Sequence, residues 1–149
     1  MTIRMLECAL ALAALLALPL SFAAETPGAK TTAKDVSKKA DEAAHAVKDY
    51  SVQQREEAIK SAKVALDDLD ARIRGLERRV DRDWDRMDEA ARKKARSTLS
   101  ALRRQRDELA EWYGGLKHGS AEAWEEVKSG FVKSYEALKE SFSKARKQF

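Results

Sequence analysis

Residues 52–87 read VQQREEAIKSAKVALDDLDARIRGLERRVDRDWDRM, and their spacing decides the fold. An apolar residue returns at every seventh position, and in several repeats a second one follows three residues later. These apolar positions are Val52, Ile59, Ala62, Leu66, Leu69, Ile73, Leu76, Val80 and Met87. Alternating steps of three and four residues are typical of a coiled-coil seam, so the stretch predicts a long amphipathic helix.

The sequence on either side of this seam also favours helix. Charged residues make up 36% of the chain, and both prolines lie within its first 27 residues. Residues 34–50 carry a stripe of mostly alanine, and a phase slip before Val52 indicates a local irregularity. No glycine or proline occurs between residues 75 and 114, so we expect one continuous helix over residues 34–113.

The apolar repeat changes after Val80. Val80, Ala91 and Leu102 stand eleven residues apart, an insertion that relaxes supercoiling without ending a helix. The alternative is a turn among residues 81–88, which would give a three-helix bundle. We expect the continuous helix, and therefore an all-α, elongated coiled coil.

A second, shorter helix is predicted at the C-terminus, over residues 120–149. Glycines over residues 114–119 signal a turn, and Ser120 can cap the helix that follows. Its apolar face is the densest in the chain and consists of Trp124, Val127, Phe131, Tyr135, Leu138 and Phe142. The short turn predicts that this helix packs back antiparallel on the long helix, with the aromatic face as the hairpin core. The alternative is that the same face lies in a membrane surface.

The C-terminal helix can cover only the distal third of the long one. The earlier part of the seam is then left without a partner in the chain, and a long apolar stripe should not remain exposed. We therefore expect self-association, most simply as a dimer. The residues of this seam are Val52, Ile59, Leu66, Leu69, Ile73, Leu76 and Val80.

Residues 1–23 have the features of a secretory signal peptide. Arg4 precedes an apolar run over residues 9–18, and residues 21–23 place small side chains at a cleavage site. The run is shorter than the ~20 residues that span a bilayer. Residues 24–33 follow as a flexible lead. The sequence predicts export, most simply to the periplasm, with secretion as the alternative.

Residues with catalytic or metal-binding chemistry form no convincing motif. Residues 81–85 begin like a calcium loop, but Arg86 and Arg92 stand where glycine and a bidentate glutamate are required. His45 and His118 are too few for a metal site. Serine occurs without a nucleophile motif. We therefore expect no enzymatic activity, no metal and no cofactor.

Residues 92–106 form the most basic stretch of the chain. Acidic residues lie at both of its ends, and the net charge of the whole chain is only +4. The aliphatic parts of these side chains are expected to cover apolar neighbours in the helical seam. Nucleic acid is therefore not an expected partner, whereas an anionic membrane surface stays an alternative.

A family resemblance is carried by residues 123–131, AWEEVKSGF, and residues 134–139, SYEALK. This run resembles small bacterial coiled-coil stress-response proteins, over roughly residues 52–144. The resemblance implies a non-enzymatic helical protein made under stress. The signal peptide is a departure from that family, which is mainly cytosolic. Residues 34–50 also resemble the amphipathic repeats of desiccation-protective and apolipoprotein-like helices.

These features favour an exported, non-enzymatic coiled-coil protein, which serves as a stress-related scaffold or protective protein of the bacterial cell envelope. One alternative is an apolipoprotein-like protein that binds membranes or lipid surfaces. A second alternative is an adaptor that docks to another coiled-coil protein of the envelope.

Overall fold

A computed structural model describes residues 32–149, and all of its regular elements are helical. The predicted signal peptide, residues 1–23, and nearly all of the predicted lead lie outside the described residues. The helices are α1 (Ala33–Ala46), α2 (Arg55–Asp83), α3 (Glu89–His118) and α4 (Trp124–Arg146), with short 3₁₀ turns at Val47–Asp49, Val52–Gln54 and Trp84–Arg86. The predicted all-α class is confirmed for this part of the chain.

The continuous helix predicted over residues 34–113 is wrong, because the chain breaks twice in that range. The first break, which we call the junction, covers residues 47–54. There two 3₁₀ turns flank extended backbone at Tyr50 and Ser51. The phase slip before Val52 is the sequence signal of this break.

The second break covers residues 84–88 and coincides with the turn that the alternative placed among residues 81–88. Asp88 begins α3 as its N-cap, and its carboxylate accepts the N–H of Ala91 at 2.7 Å. The guanidinium of Arg92 donates to the carbonyl of Trp84 at 3.0 Å. These local bonds satisfy backbone groups that a helix end leaves without partners, so the turn needs neither glycine nor proline.

The four helices form an antiparallel bundle. Helices α2 and α3 are neighbours in a hairpin, α4 returns along α3, and α1 lies against α2 and α4. Two ion pairs join α2 to α3: Arg106 binds Asp70 through two hydrogen bonds, of 2.7 and 2.9 Å, and Arg103 contacts Glu77 at 2.7 Å. The architecture is therefore a bundle rather than an elongated coiled coil.

The seam of α2 has its partners within the chain. Leu66, Leu69, Ile73, Leu76 and Val80 are buried, and Val52 and Ile59 pack partly buried against the same core. The expectation that this stripe is uncovered is wrong, because α1 and α3 fold back over it. The reason for predicting a dimer through these residues, an uncovered apolar stripe, therefore does not apply.

The turn before α4 lies at residues 119–123 rather than at residues 114–119. Helix α3 continues through two glycines as far as His118. At Gly115 an added Cβ would lie 3.0 Å from a methyl group of Val127, and at Gly130 it would lie 2.5 Å from the ring of Trp112. Gly115 and Gly130 thus permit close contact between α3 and α4.

Candidate functional site

The charges of the described chain are unevenly distributed along the bundle. We call residues 72–104 and 139–149 the basic end, because they hold 16 basic and 7 acidic residues. The other described residues hold 11 basic and 16 acidic residues. The two segments lie at the same end because α4 runs back along α3 toward the turn between α2 and α3. A net charge of +4 therefore conceals a strongly polarised surface.

Trp84 lies at the tip of this end, in a turn whose residues 81–89 hold five acidic and two basic side chains, and it is partly exposed. The guanidinium carbons of Arg92 and Arg96 lie 5.6 and 4.9 Å from the centre of its ring. Cations at this distance from an aromatic face are attracted to its negative electrostatic potential. These contacts gather two positive charges beside an aromatic ring at the surface.

Two open depressions follow the outer groove between α2 and α3. The larger, of about 550 Å³, lies beside Trp84 and has Val80 and Leu99 among its apolar lining residues. The smaller, of about 300 Å³, is lined mainly by the ion pairs of Arg103 and Arg106. Both are shallow grooves between charged side chains, so this face suits contact with an extended charged surface better than enclosure of a small molecule.

A second group of contacts joins α4 to the junction, and we call it the Tyr50 clasp. Lys128 is only 4% exposed, and its ammonium group donates to the carbonyls of Lys48 at 3.1 Å and Tyr50 at 2.7 Å. The indole N–H of Trp124 donates to the same Tyr50 carbonyl at 3.1 Å. Glu125 supplies a carboxylate 2.9 Å from the Lys128 ammonium. All three donors of this buried cation are thereby satisfied.

The turn before α4 is attached to α2 near the clasp. Arg55 donates to the carbonyl of Gly119 at 2.7 Å, and its guanidinium carbon lies 5.0 Å from the centre of the Trp124 ring. Trp124 is therefore held between Arg55 and Lys128. The conspicuous run at residues 123–131 is thus used mainly in packing, with Phe131 in the core and Gly130 against Trp112.

A polar cluster holds α1 against α2 and α4. The hydroxyl of Tyr135 donates to Asp41 at 2.6 Å, and the Lys139 ammonium lies 3.0 Å from the same carboxylate. Burial opposes ionisation of Asp41, but these bonds and the charge of Arg72 outweigh it and lower its pKa. Burial and the Asp41 carboxylate raise the pKa of Tyr135, so the phenol stays protonated.

The predicted aromatic face of α4 lies in the core of the bundle. All six residues, Trp124, Val127, Phe131, Tyr135, Leu138 and Phe142, are buried. Contact of this face with a membrane would require α4 to leave the bundle. No described helix is long and apolar enough to cross a bilayer.

The residues considered for metal binding are dispersed. The calcium-like run at residues 81–85 is divided between the end of α2 and the following 3₁₀ turn. His45 lies 3.0 Å from Glu136 in a partly exposed pair, and His118 ends α3. Within residues 32–149 no three His, Cys, Asp or Glu side chains form a group suited to a metal ion.

Comparison with known proteins finds no match for this chain. No family model, no curated protein and no solved structure is similar to it.

Proposed function

We propose that this chain is an exported, non-enzymatic protein of the bacterial cell envelope that acts as a stress-related scaffold or protective protein. Its working surface is the basic end of the bundle, and its partner is an anionic membrane surface. The observation that carries this proposal is the charge polarity: 16 basic against 7 acidic residues at one end, and 11 against 16 elsewhere. In this proposal the surface that contacts lipid is the basic end, and not the aromatic face of α4.

Electrostatic attraction of this kind acts without deep insertion. Each Lys or Arg close to an anionic lipid surface contributes about 1 kcal/mol, so several together hold a folded protein reversibly. The partly exposed Trp84 can add an interfacial contact, since indole rings favour the boundary between water and lipid. The acidic remainder of the bundle orients the protein, because it is repelled by the same surface.

The test is binding of the full chain to vesicles, measured by co-sedimentation. We expect binding to vesicles that contain phosphatidylglycerol, weak binding to phosphatidylcholine alone, and a decline with added salt, because salt screens exposed charges. The test variant reverses three exposed charges of the basic end, R79E, R82E and K93E. The control variant reverses three exposed charges elsewhere, K48E, K60E and K133E.

The two variants change the net charge equally, so only location distinguishes them. We expect the basic-end variant to lose about tenfold or more in affinity, in line with three surface charges near lipid, and the control to lose far less. Equal losses in both variants, or equal binding of the native chain to neutral vesicles, would contradict the proposal.

A further inference from the structure

We propose that α1 is exchangeable between two copies of this chain. In the exchanged form the junction straightens, α1 and α2 join into one helix over residues 33–83, and each α1 packs on α2 and α4 of the second copy. The occupant of the groove between α2 and α4 is thus α1 in both forms, its own in the monomer and the partner's in the dimer. This goes beyond the proposed function and needs no anionic surface.

The amino-acid composition of the junction is compatible with a continuous helix. Residues 47–54 read VKDYSVQQ and contain neither glycine nor proline. Nothing in this composition interrupts a helical hydrogen-bond ladder, and the propensities of these residues cost only tenths of a kcal/mol each. The bent junction and the continuous helix are therefore both accessible to this sequence.

Helix α1 is held by a small apolar interface and by polar contacts. Its fully buried side chains are Ala40 and Ala44, which bury little area, and large apolar Val36 is 46% exposed. The polar attachment comes from the cluster around Asp41, from a contact between Ser37 and Arg72, and from the contact of His45 with Glu136. Because apolar area drives helix docking, release of α1 disrupts less packing than release of α4, which carries the large aromatic side chains.

In the dimer, α1 of the second copy occupies the groove through the same contacts that α1 makes in the monomer. Helices α1 and α2 run antiparallel, as the pairing of Ser37 with Arg72 and of Tyr50 with Ser61 shows. In the dimer, the two straightened helices cross antiparallel at their junctions, where a two-fold axis relates the two chains. The residue pairs that form within one chain in the monomer then form between the two chains. Exchange of an identical element in this way is a low-cost route to a dimer.

The Tyr50 clasp opposes this exchange. In a straight helix the carbonyls of Lys48 and Tyr50 accept hydrogen bonds from N–H groups four residues later in the chain. In the bent junction they are bound instead by Lys128 and Trp124 of α4. The clasp therefore stabilises only the closed monomer, and its removal shifts the balance toward the dimer.

Sedimentation equilibrium of the full chain tests this proposal. In Lys128→Met, which keeps an apolar stem and removes the donors, we expect the dimer association constant to rise roughly a hundredfold to ten-thousandfold, because each dimer breaks two clasps and a hydrogen bond from a charged donor is worth about tenfold to a hundredfold in each chain. Val52→Pro is the matched control. Val52 is the first residue of the second 3₁₀ turn, where proline is tolerated, but proline interrupts a continuous helix. Combining the two substitutions should restore the monomer.

A crosslink distinguishes exchange from any other dimer. His45→Cys with Glu136→Cys, in a Cys8→Ser background, places two thiols where α1 meets α4. A short bis-maleimide should link two chains in the Lys128→Met dimer and close a loop within one chain in the monomer. A dimer with only intrachain links, or a dimer that persists with Val52→Pro, overturns the proposal.

A second variant covers poor folding of Lys128→Met. Trp124→Phe removes only the indole donor to Tyr50 and keeps an aromatic ring in the core. We expect it to raise the association constant roughly fivefold to a hundredfold, because each dimer breaks two such hydrogen bonds between neutral groups. A folded clasp variant that stays monomeric at the highest concentrations measured overturns the proposal.

Discussion

The two breaks in the helical chain both lack glycine and proline, but they are stabilised by different contacts. The turn at residues 84–88 is closed by neighbours in sequence, since Asp88 caps α3 and Arg92 binds the carbonyl of Trp84. The junction at residues 47–54 has a local cap between Ser51 and Gln54, but it is also bound by α4, which lies more than 70 residues later in the chain. A locally capped turn forms with its own helices, whereas a bend held from a distance lasts only while the distant helix is docked.

Truncation of a clasp residue should have the largest effect on stability. Trp124→Ala removes a buried indole and one donor to the junction, so we expect a loss of about 3 to 5 kcal/mol in the free energy of unfolding. Trp84→Ala is the matched control at the other break, where the ring is partly exposed and the loss should be about 1 kcal/mol. Urea unfolding followed by circular dichroism measures both. Equal losses would mean that the breaks do not differ as described.

Alanine substitutions at two helical glycines test the close packing of α4 against α3. An alanine Cβ at Gly130 would meet the ring of Trp112 at 2.5 Å, so Gly130→Ala should destabilise the bundle by about 1 to 3 kcal/mol. Gly114 has open space around the same position and lies within α3. Gly114→Ala should therefore stabilise by about 0.5 to 1 kcal/mol. Thermal unfolding of both variants gives the signs, and a loss in both would contradict the packing described.

The caps of the two breaks should contribute unequally. Asp88→Ala removes the N-cap bond of α3 and should cost about 1 kcal/mol. Ser51→Ala alters the cap of a short 3₁₀ turn whose bend the clasp still holds, so its cost should be a few tenths of a kcal/mol. Chemical denaturation resolves this difference. A larger loss for Ser51→Ala would show that the junction is closed locally.

The smallest expected effect concerns acid stability. The lowered pKa of Asp41 means that its stabilising contribution is complete at neutral pH and is lost as pH falls through about 4 and below. Asp41→Asn should cost less than about 1 kcal/mol at pH 7, because an amide oxygen still accepts from Tyr135. Between pH 5 and pH 3 the native chain should lose more stability than the variant. An unchanged difference across that range would contradict the role of the carboxylate.

The helical class and the core face of α2 follow from spacing, because burial requires apolar residues to recur on one side of a helix. Leu66, Leu69, Ile73, Leu76 and Val80 are buried as members of that stripe. What covers them could not be derived from the same pattern. A seam that faces α1 and α3 of its own chain has the periodicity of a seam that faces another chain.

The turn at residues 81–88 was only the alternative to a continuous helix, and the clasp was not predicted, for a different reason. Ser51 followed by Gln54, and Asp88 before an alanine-rich run, are capping signals that the prediction did not use, and the absence of glycine and proline favoured a continuous helix. Gly114 and Gly115 had the opposite effect, because they suggested a turn where Gly115 instead permits close packing. Lys128 carries no sequence signal, since a lysine bound to distant carbonyls looks like any solvated lysine.

Hydrogen–deuterium exchange of the full chain, compared between the native protein and Lys128→Met below the concentration at which dimers form, tests most directly whether α4 holds the junction. We expect exchange to accelerate in residues 33–54 and to stay unchanged around residues 84–92, because only the first break depends on the clasp. Acceleration at both breaks alike, or at neither, would contradict the conclusion that a distant helix holds one break and local caps hold the other.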